Sequence, residues 1–178
     1  ARLTVTAAGP WVADVLRQRL GGPGRSGVRL VKGSHIVVPR LWQGDHAYIL
    51  QQDDGRIVFA LPYGEFSLIG TTDVAVAAPE DAAISAEEVD YLCAAANAYF
   101  AKATSPSDLV WSYAGVRALY DDGAVDAKDV TRDYRLELDP GPGGKLLSVF
   151  GGKLTTARAL GTEALDRLGV GGFKFTAT

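Results

Sequence analysis

A tight turn at residues 53–56 constrains the fold of this chain more than any other feature of its sequence. The turn reads Asp-Asp-Gly-Arg and separates two short apolar segments, residues 47–52 and 57–61. An Asp-Gly pair supplies the positive backbone angles of a hairpin, and a hairpin joins antiparallel strands. The sequence therefore predicts an antiparallel pair here, which a second turn at residues 63–65 extends to a third strand over residues 66–71.

Other segments of strand-like composition lie on both sides of this hairpin. One is long, rich in Val and Ile, and stops at Pro39. The last two lie on either side of a Gly/Pro turn and are expected to pair with each other. The predicted strands outside the hairpin are residues 3–6, 28–38, 109–119, 133–138 and 146–150.

Three segments have the apolar spacing of helices. Residues 11–20 place apolar side chains on one helical face, and a final helix is predicted from about residue 155 to 168. Between them, Ser85 and Glu88 match a capping box, which starts a helix whose apolar face includes Cys93 as a small core residue. The chain is therefore predicted to have an α+β fold with a mostly antiparallel sheet and two to three helices.

Composition limits the class of protein. With 178 residues, 47% of them hydrophobic, the chain is expected to form a single domain over residues 1–178, and intrinsic disorder is excluded. A net charge of −3 gives no cationic field for nucleic acid, and no apolar run reaches the roughly 18 residues of a membrane-spanning helix. One cysteine and two histidines exclude a disulfide scaffold and a Cys/His zinc site, so no metal is expected.

Two glycine motifs resemble nucleotide-binding loops, but their surroundings exclude that role. Gly22, Gly24 and Gly27 match G-x-G-x-x-G, yet they follow a predicted helix and precede a strand, the reverse of the dinucleotide fingerprint. We interpret this motif as a linker. The Gly-Gly-Lys at residues 151–153 lacks the first glycine of a P-loop and has Leu154 where a P-loop has a hydroxyl residue.

The second motif nevertheless has the composition of an anion site. Residues 151–156 combine a strand end, two glycines that permit close backbone approach, Lys153, and hydroxyl residues at a helix start. The alternative is an ordinary glycine-containing turn with a threonine cap. Arg117 and Arg132 lie in otherwise apolar strands, and if both converge on Lys153 they form a tricationic pocket suited to a phosphate monoester. Otherwise they are surface residues or make local ion pairs.

Three further residues are candidates for ligand contact. His35 lies on the long predicted strand and is either a general base or a core histidine. Thr71 and Thr72 end a predicted strand, where they either stabilise a turn or contact a ligand.

Six segments, in the same order along the chain, resemble the FAD-dependent glycerol-3-phosphate dehydrogenases of bacterial aerobic type. They are residues 7–12, 32–39, 69–73, 115–117, 131–134 and 148–156. The resemblance implies a fold similar to the substrate domain of D-amino-acid-oxidase-like flavoenzymes. It also implies oxidation of sn-glycerol 3-phosphate to dihydroxyacetone phosphate, with hydride transfer to FAD and electrons passed to a quinone. The implied location is cytoplasmic and peripheral to the inner membrane.

The resemblance also assigns roles to residues. It implies that Arg117, Arg132 and Lys153 bind the substrate by holding its phosphate and polarising the C2 oxygen. With the candidate base included, the predicted catalytic residues are Arg117, Lys153 and His35. The implied cofactor contacts are Gly9, Pro10, Trp11, Thr71, Thr72, Gly151, Gly152, Lys153, Leu154 and Thr155.

The sequence departs from that family in what it lacks. It has neither an N-terminal Rossmann half with a true pyrophosphate loop nor a C-terminal helical cap, and Thr6 stands where the family usually has asparagine. We therefore expect the substrate-binding portion of a larger enzyme, with residues 1–27 as the edge of the FAD domain and a linker. Alone, this portion is expected to lack FAD and to be inactive. Two other functions stay open: a phosphate-ester binding module without redox activity, and a related flavin oxidoreductase acting on another substrate.

Overall fold

The computed structural model describes residues 2–20, 27–121, 133–140 and 144–170. Within them, the strands in chain order are β1 (Leu3–Thr6), β2 (Val28–Pro39), β3 (Tyr48–Gln51), β4 (Ile57–Tyr63), β5 (Phe66–Gly70), β6 (Val74–Ala75), β7 (Trp111–Tyr120), β8 (Arg135–Asp139) and β9 (Lys145–Phe150). The α-helices are α1 (Val12–Asp14), α2 (Ala86–Asn97) and α3 (Ala157–Leu168). The chain divides into two compact units, the first drawn from Ala1–Leu30 and Arg117–Thr178 and the second from Val31–Val116.

The first unit contains a three-stranded sheet with the order β1, β9, β8. Strand β9 pairs in parallel with β1 and antiparallel with β8, so it is the central strand. Leu146 and Phe150 of β9 pack with Val12 and Leu16, which come from α1 and the turn that follows it. Residues 146–150 of β9 are nearly all apolar, which is typical of a strand that is covered on both faces.

The second face of β9 is covered by α3. Leu147 and Val149 alternate with the residues that face α1, and they pack in a cluster with Leu136 of β8 and Leu168 of α3. A short connection, residues 151–156, joins β9, the central strand of this unit, to α3.

The second unit contains an antiparallel sheet in which β3, β4, β5, β2 and β6 follow one another, and β7 also pairs with β2. The predicted hairpin joins β3 to β4, and Gly55 in its turn has a φ of 80°, which glycine adopts without strain. One face of the sheet packs against α2. The core there includes Ile36, Val58 and Leu92, and the buried Cys93 is part of it as predicted.

The start of α2 has the predicted capping box. The Glu88 amide donates to the Ser85 hydroxyl, and the Ser85 amide donates to the Glu88 carboxylate at 2.9 Å. Two amides that lack helical partners are satisfied in this way.

The predicted α+β fold with mostly antiparallel sheets is confirmed. Two details differ from the sequence predictions. The helix predicted over residues 11–20 is a single α-helical turn that continues as a π-helix over Val15–Arg19, because apolar spacing indicates which side chains are buried but not which carbonyl each amide selects. The strand β6 was missed because two residues are too few to show alternation.

Two expectations are not decided by this fold. A single substrate-binding domain over residues 1–178, with residues 1–27 derived from a cofactor domain, stays a prediction. Gly22 and Gly24, interpreted as part of a linker, lie outside the described residues. Among the residues that the structure does describe, no helix has the length and apolar content needed to cross a membrane.

Candidate functional site

The turn after β9 has a backbone that favours glycine at two successive positions. Gly151 has a φ of 68° and Gly152 a φ of 109°. Both values lie in the region that L side chains rarely adopt, whereas glycine enters it at no steric cost. Lys153 then returns to an extended conformation, and a 3-10 turn over Leu154–Thr156 leads into α3.

The same turn is also crowded by neighbouring backbone. A Cβ placed on Gly151 would lie 3.1 Å from the carbonyl oxygen of Asp133 and 3.6 Å from that of Ala118. Asp133 directly follows Arg132 in the chain, and Ala118 directly follows Arg117. The first unit therefore brings the sequence neighbours of both predicted arginines to the glycine turn that precedes Lys153.

The side chain of Lys153 makes an ion pair at the surface of this turn. Its Nζ lies 3.5 Å from Oδ1 of Asp133, and the two side chains are 46% and 85% exposed. Exposed pairs of this kind stabilise a protein by only about 0–1 kcal/mol. The ammonium group of Lys153 can therefore exchange Asp133 for a stronger anion at little energetic cost.

The structure describes one of the two predicted arginines. Arg117 lies in β7 and is half-buried, with interactions of its own. Arg132 lies outside the described residues. Convergence of the three cations therefore stays a prediction.

The start of α3 is open to a ligand. The side chain of Leu154 is 94% exposed, and Thr155 is exposed as well. The Thr156 hydroxyl donates to the Lys153 carbonyl at 3.2 Å and does not cap a helix amide. Free amides and the helix dipole favour negative charge at such a terminus. A flat cofactor ring whose edges carry partial negative charge would fit against this turn, which presents two glycines, Lys153 and the exposed Leu154.

The other predicted cofactor contacts of the first unit form a separate short turn. Gly9, Pro10 and Trp11 make a 3-10 turn between β1 and α1, with a φ of 55° at Gly9. The Trp11 side chain is exposed.

His35 belongs to the second unit and is held between neighbouring strands. Its ring stacks on Tyr113 of β7, with 4.7 Å between ring centroids and 5° between ring planes. On β5, Gly70 pairs with His35, and a Cβ on Gly70 would lie only 2.2 Å from the His35 Cδ2 atom. Burial raises the pKa of the Tyr113 hydroxyl, and Tyr63 adds to the effect.

The two predicted threonines are in different surroundings. The Thr72 hydroxyl is buried, accepts from the Ser34 amide at 2.9 Å and donates to the Glu88 carboxylate at 2.6 Å. Thr71 is half-buried, and its hydroxyl donates to the Thr72 carbonyl. Thr71 is therefore the better placed of the two for ligand contact, and both cofactor roles stay predictions.

A buried ion pair that sequence reasoning missed lies beside Thr72. The Lys32 Nζ is 2.7 Å from the Glu88 carboxylate, and both side chains are over nine-tenths buried. Burial alone raises the pKa of Glu88, but hydrogen bonds from Lys32, Thr72 and the Ser85 amide outweigh it and hold that pKa below its usual value. A lysine within the apolar run of β2 was the available signal, since a buried lysine needs a partner.

The chain is similar to known flavoproteins over most of its length. A family model described as FAD dependent oxidoreductase (DAO) matches residues 1–158. The chain is 50% identical to the glycerol-3-phosphate dehydrogenase of Pseudomonas aeruginosa, with 94% of this chain and 33% of the relative covered. It is 47% identical to the D-erythritol 1-phosphate dehydrogenase of Brucella abortus, again over 94% of this chain and over 34% of the relative. The chain thus spans about a third of the length of these relatives.

A solved structure shares both fold and sequence with the chain. The glycerol-3-phosphate dehydrogenase from Bacillus halodurans, complexed with FAD, matches with a TM-score of 0.71 and 32% identity, covering 92% of this chain and 31% of that one. NikD, described as an unusual amino acid oxidase, matches with a TM-score of 0.65 over 97% of this chain and 46% of its own, but at 17% identity it shows the fold alone.

Proposed function

This chain belongs to the FAD dependent oxidoreductase family, and from that premise we propose that it is the substrate-binding part of an enzyme that oxidises sn-glycerol 3-phosphate to dihydroxyacetone phosphate. The observation that carries the proposal is the glycine turn before Lys153, where backbone neighbours of Arg117 and Arg132 meet. Relatives named for glycerol-3-phosphate dehydrogenase, 47–50% identical to this chain, support the choice of substrate.

The phosphate group of the substrate is bound by the three cations. A phosphate monoester carries about −1.5 to −2 charges near neutral pH and has three strong acceptor oxygens. Arginine guanidinium groups donate paired hydrogen bonds to such oxygens, and Lys153 adds a single positive charge. The weak pair between Lys153 and Asp133 opens when the phosphate binds.

The cofactor contacts of the first unit are the glycine turn and the helix start behind it. Gly151, Gly152, Lys153, Leu154 and Thr155 would hold FAD, since the two glycines permit close approach and the helix terminus favours negative charge. The chemistry that FAD would supply when bound is acceptance of the C2 hydride and transfer of the electrons to a quinone. The whole enzyme is proposed to work in the cytoplasm, peripheral to the inner membrane.

His35 is proposed to take the proton of the C2 hydroxyl group as the hydride leaves. An imidazole is suited to this task because its ordinary pKa is near neutral. The imidazole would gain this proton and become a cation, and loss of the proton and the hydride together leaves a neutral carbonyl at C2.

A longer polyol phosphate is the second candidate substrate. The similarity to a D-erythritol 1-phosphate dehydrogenase, at 47% identity, favours it, because that substrate also ends in a phosphate monoester. Both candidates require the same cationic site and differ only in the length of the polyol.

The proposal is tested by the substrate specificity of the full-length protein with FAD bound. Reduction of an artificial electron acceptor is measured with sn-glycerol 3-phosphate, D-erythritol 1-phosphate and glycerol. We expect glycerol 3-phosphate to give the highest kcat/KM and glycerol to be a far weaker substrate. A preference for the erythritol ester supports the second candidate, whereas equal rates with glycerol would contradict phosphate recognition.

A further inference from the structure

The imidazole of His35 is enclosed by two strands that pair with β2. On β5, Gly70 is the direct register partner of His35, and on β7, Tyr113 stacks on the imidazole. Backbone bonds confirm that β2 is paired on both edges, since the Thr72 amide donates to the Ser34 carbonyl and the Val110 amide donates to the Val37 carbonyl. Carbonyls three residues apart in a strand point to opposite edges.

Gly70 provides the space that the imidazole fills. A Cβ there would lie 2.2 Å from Cδ2, 2.6 Å from Cγ and 2.8 Å from Nε2 of His35. Real side chains never approach so closely, so any other residue at this position must displace the ring. A glycine within a strand often marks such a close approach.

Tyr113 restricts the ring from the other neighbouring strand. The ring planes are only 5° apart and the centroids 4.7 Å apart, so the two rings form a parallel stack, an arrangement that stabilises aromatic pairs beyond the effect of burial. Trp111 lies on the same side of β7 and contacts Tyr113 with centroids 5.3 Å apart. The Tyr113 ring therefore has a second aromatic neighbour that limits its movement.

We propose that Gly70 and Tyr113 form a clamp that fixes the plane of the His35 imidazole, and that Tyr113 is a positioning residue for the proton transfer. The inference rests on the proposed function, since orientation of the imidazole matters for catalysis only if His35 receives the substrate proton. A general base must meet its proton within hydrogen-bonding distance and at a suitable angle. Side chains that hold a catalytic group by packing provide this orientation before the substrate arrives.

The clamp itself is tested without any enzymatic activity. The 178-residue chain has only two histidines, His35 and His46, so its imidazole proton resonances are few, and a His35→Asn variant assigns them. We expect the His35 ring protons to be shifted upfield by the Tyr113 ring, and the shift to be lost in Tyr113→Leu and kept in Tyr113→Phe. Unshifted His35 protons in the unsubstituted chain would overturn the clamp.

The catalytic consequence is tested in the full-length protein with FAD bound. We expect Tyr113→Leu to lower kcat by on the order of tenfold to a hundredfold with KM nearly unchanged, because a displaced catalytic group costs rate more than binding. Tyr113→Phe keeps the ring and should keep kcat. The control is Tyr99→Leu, which makes the same change at a tyrosine in the same unit. The two side chains are similarly exposed, Tyr99 to 52% and Tyr113 to 40%.

The outcomes separate the clamp from the proposed function. A normal kcat in Tyr113→Leu, or a loss of kcat that Tyr113→Phe shares, would overturn the positioning role. If the unsubstituted protein oxidises no polyol phosphate, the proposed function fails, while the ring shift of His35 still reports whether the clamp exists.

Discussion

Single residues set the shape of the turn that precedes Lys153. Gly151 and Gly152 are required there for two reasons, a positive φ and the closeness of other groups, and the two reasons can be separated by experiment. Gly169 has a φ of 70°, nearly the same as the 68° of Gly151, but a Cβ on it would meet no atom within 4 Å. Gly169→Ala therefore measures the cost of a positive φ without the cost of close neighbouring atoms.

The prediction concerns the stability of Gly151→Ala. Both Gly151→Ala and Gly169→Ala should lose about 1–2 kcal/mol from the left-handed backbone. Gly151→Ala should lose more, because its Cβ would lie 3.1 Å from the Asp133 carbonyl oxygen. Urea unfolding of the two variants measures the difference, and equal losses would show that the neighbouring backbone does not crowd this position.

A second prediction at this scale concerns the buried Lys32 and Glu88 pair. Glu88→Gln leaves the Lys32 charge buried without its partner, which costs about 3–5 kcal/mol of the free energy of unfolding. Glu87→Gln changes an exposed carboxylate in the same helical turn, where it leaves no charge buried, and should therefore cost much less. Similar losses in the two variants, measured by urea unfolding at neutral pH, would contradict the buried pair.

The same pair predicts how stability depends on pH. The pKa of Glu88 is lower in the folded chain than in the unfolded one, so its contribution is complete above the unfolded pKa of about 4.3 and is lost as the pH falls towards the folded value. The unsubstituted chain should therefore lose stability in this acidic range more steeply than Glu88→Gln. Parallel pH profiles of the two proteins would rule out a lowered Glu88 pKa.

Among the secondary-structure elements, α2 begins at the capping box that its sequence predicts. Ser85→Ala removes the hydroxyl that accepts from the Glu88 amide, and such a loss costs about 1 kcal/mol. Ser107→Ala, at an exposed serine in the 3-10 turn over Pro106–Asp108, should change stability by less. The midpoint of thermal unfolding measures both, and an unchanged midpoint in Ser85→Ala would show that the cap does not stabilise α2.

Local signals explain why most elements could be predicted from the sequence. The Asp-Gly turn, the capping box and the apolar run of β9 each depend on residues that are neighbours in the chain, and all three features are present in the structure. Contacts between distant residues could not be predicted in this way. The stacking of Tyr113 on His35 and the pairing of Lys32 with Glu88 depend on strand neighbours that only the fold defines. A shared phosphate site for Arg117 and Lys153 depends on the fold in the same way, and it stays a prediction.

At the scale of the whole molecule, candidate residues are present in both compact units. The first unit holds the glycine turn, Lys153 and Arg117, and the second holds His35, Thr71 and Thr72. The chain spans about a third of the length of its curated relatives, so catalytic tests belong to the full-length protein. Stability and ring-shift measurements can be made on the chain itself.

The KM of Lys153→Gln for sn-glycerol 3-phosphate in the full-length protein tests the proposed cationic phosphate site most directly. Removing one charged hydrogen bond to phosphate should raise KM by tens-fold, on the order of 2–3 kcal/mol. Lys145→Gln makes the same change at an exposed lysine at the opposite end of β9 and should leave KM unchanged. A KM for Lys153→Gln that matches the unsubstituted protein would contradict phosphate binding at the turn after β9.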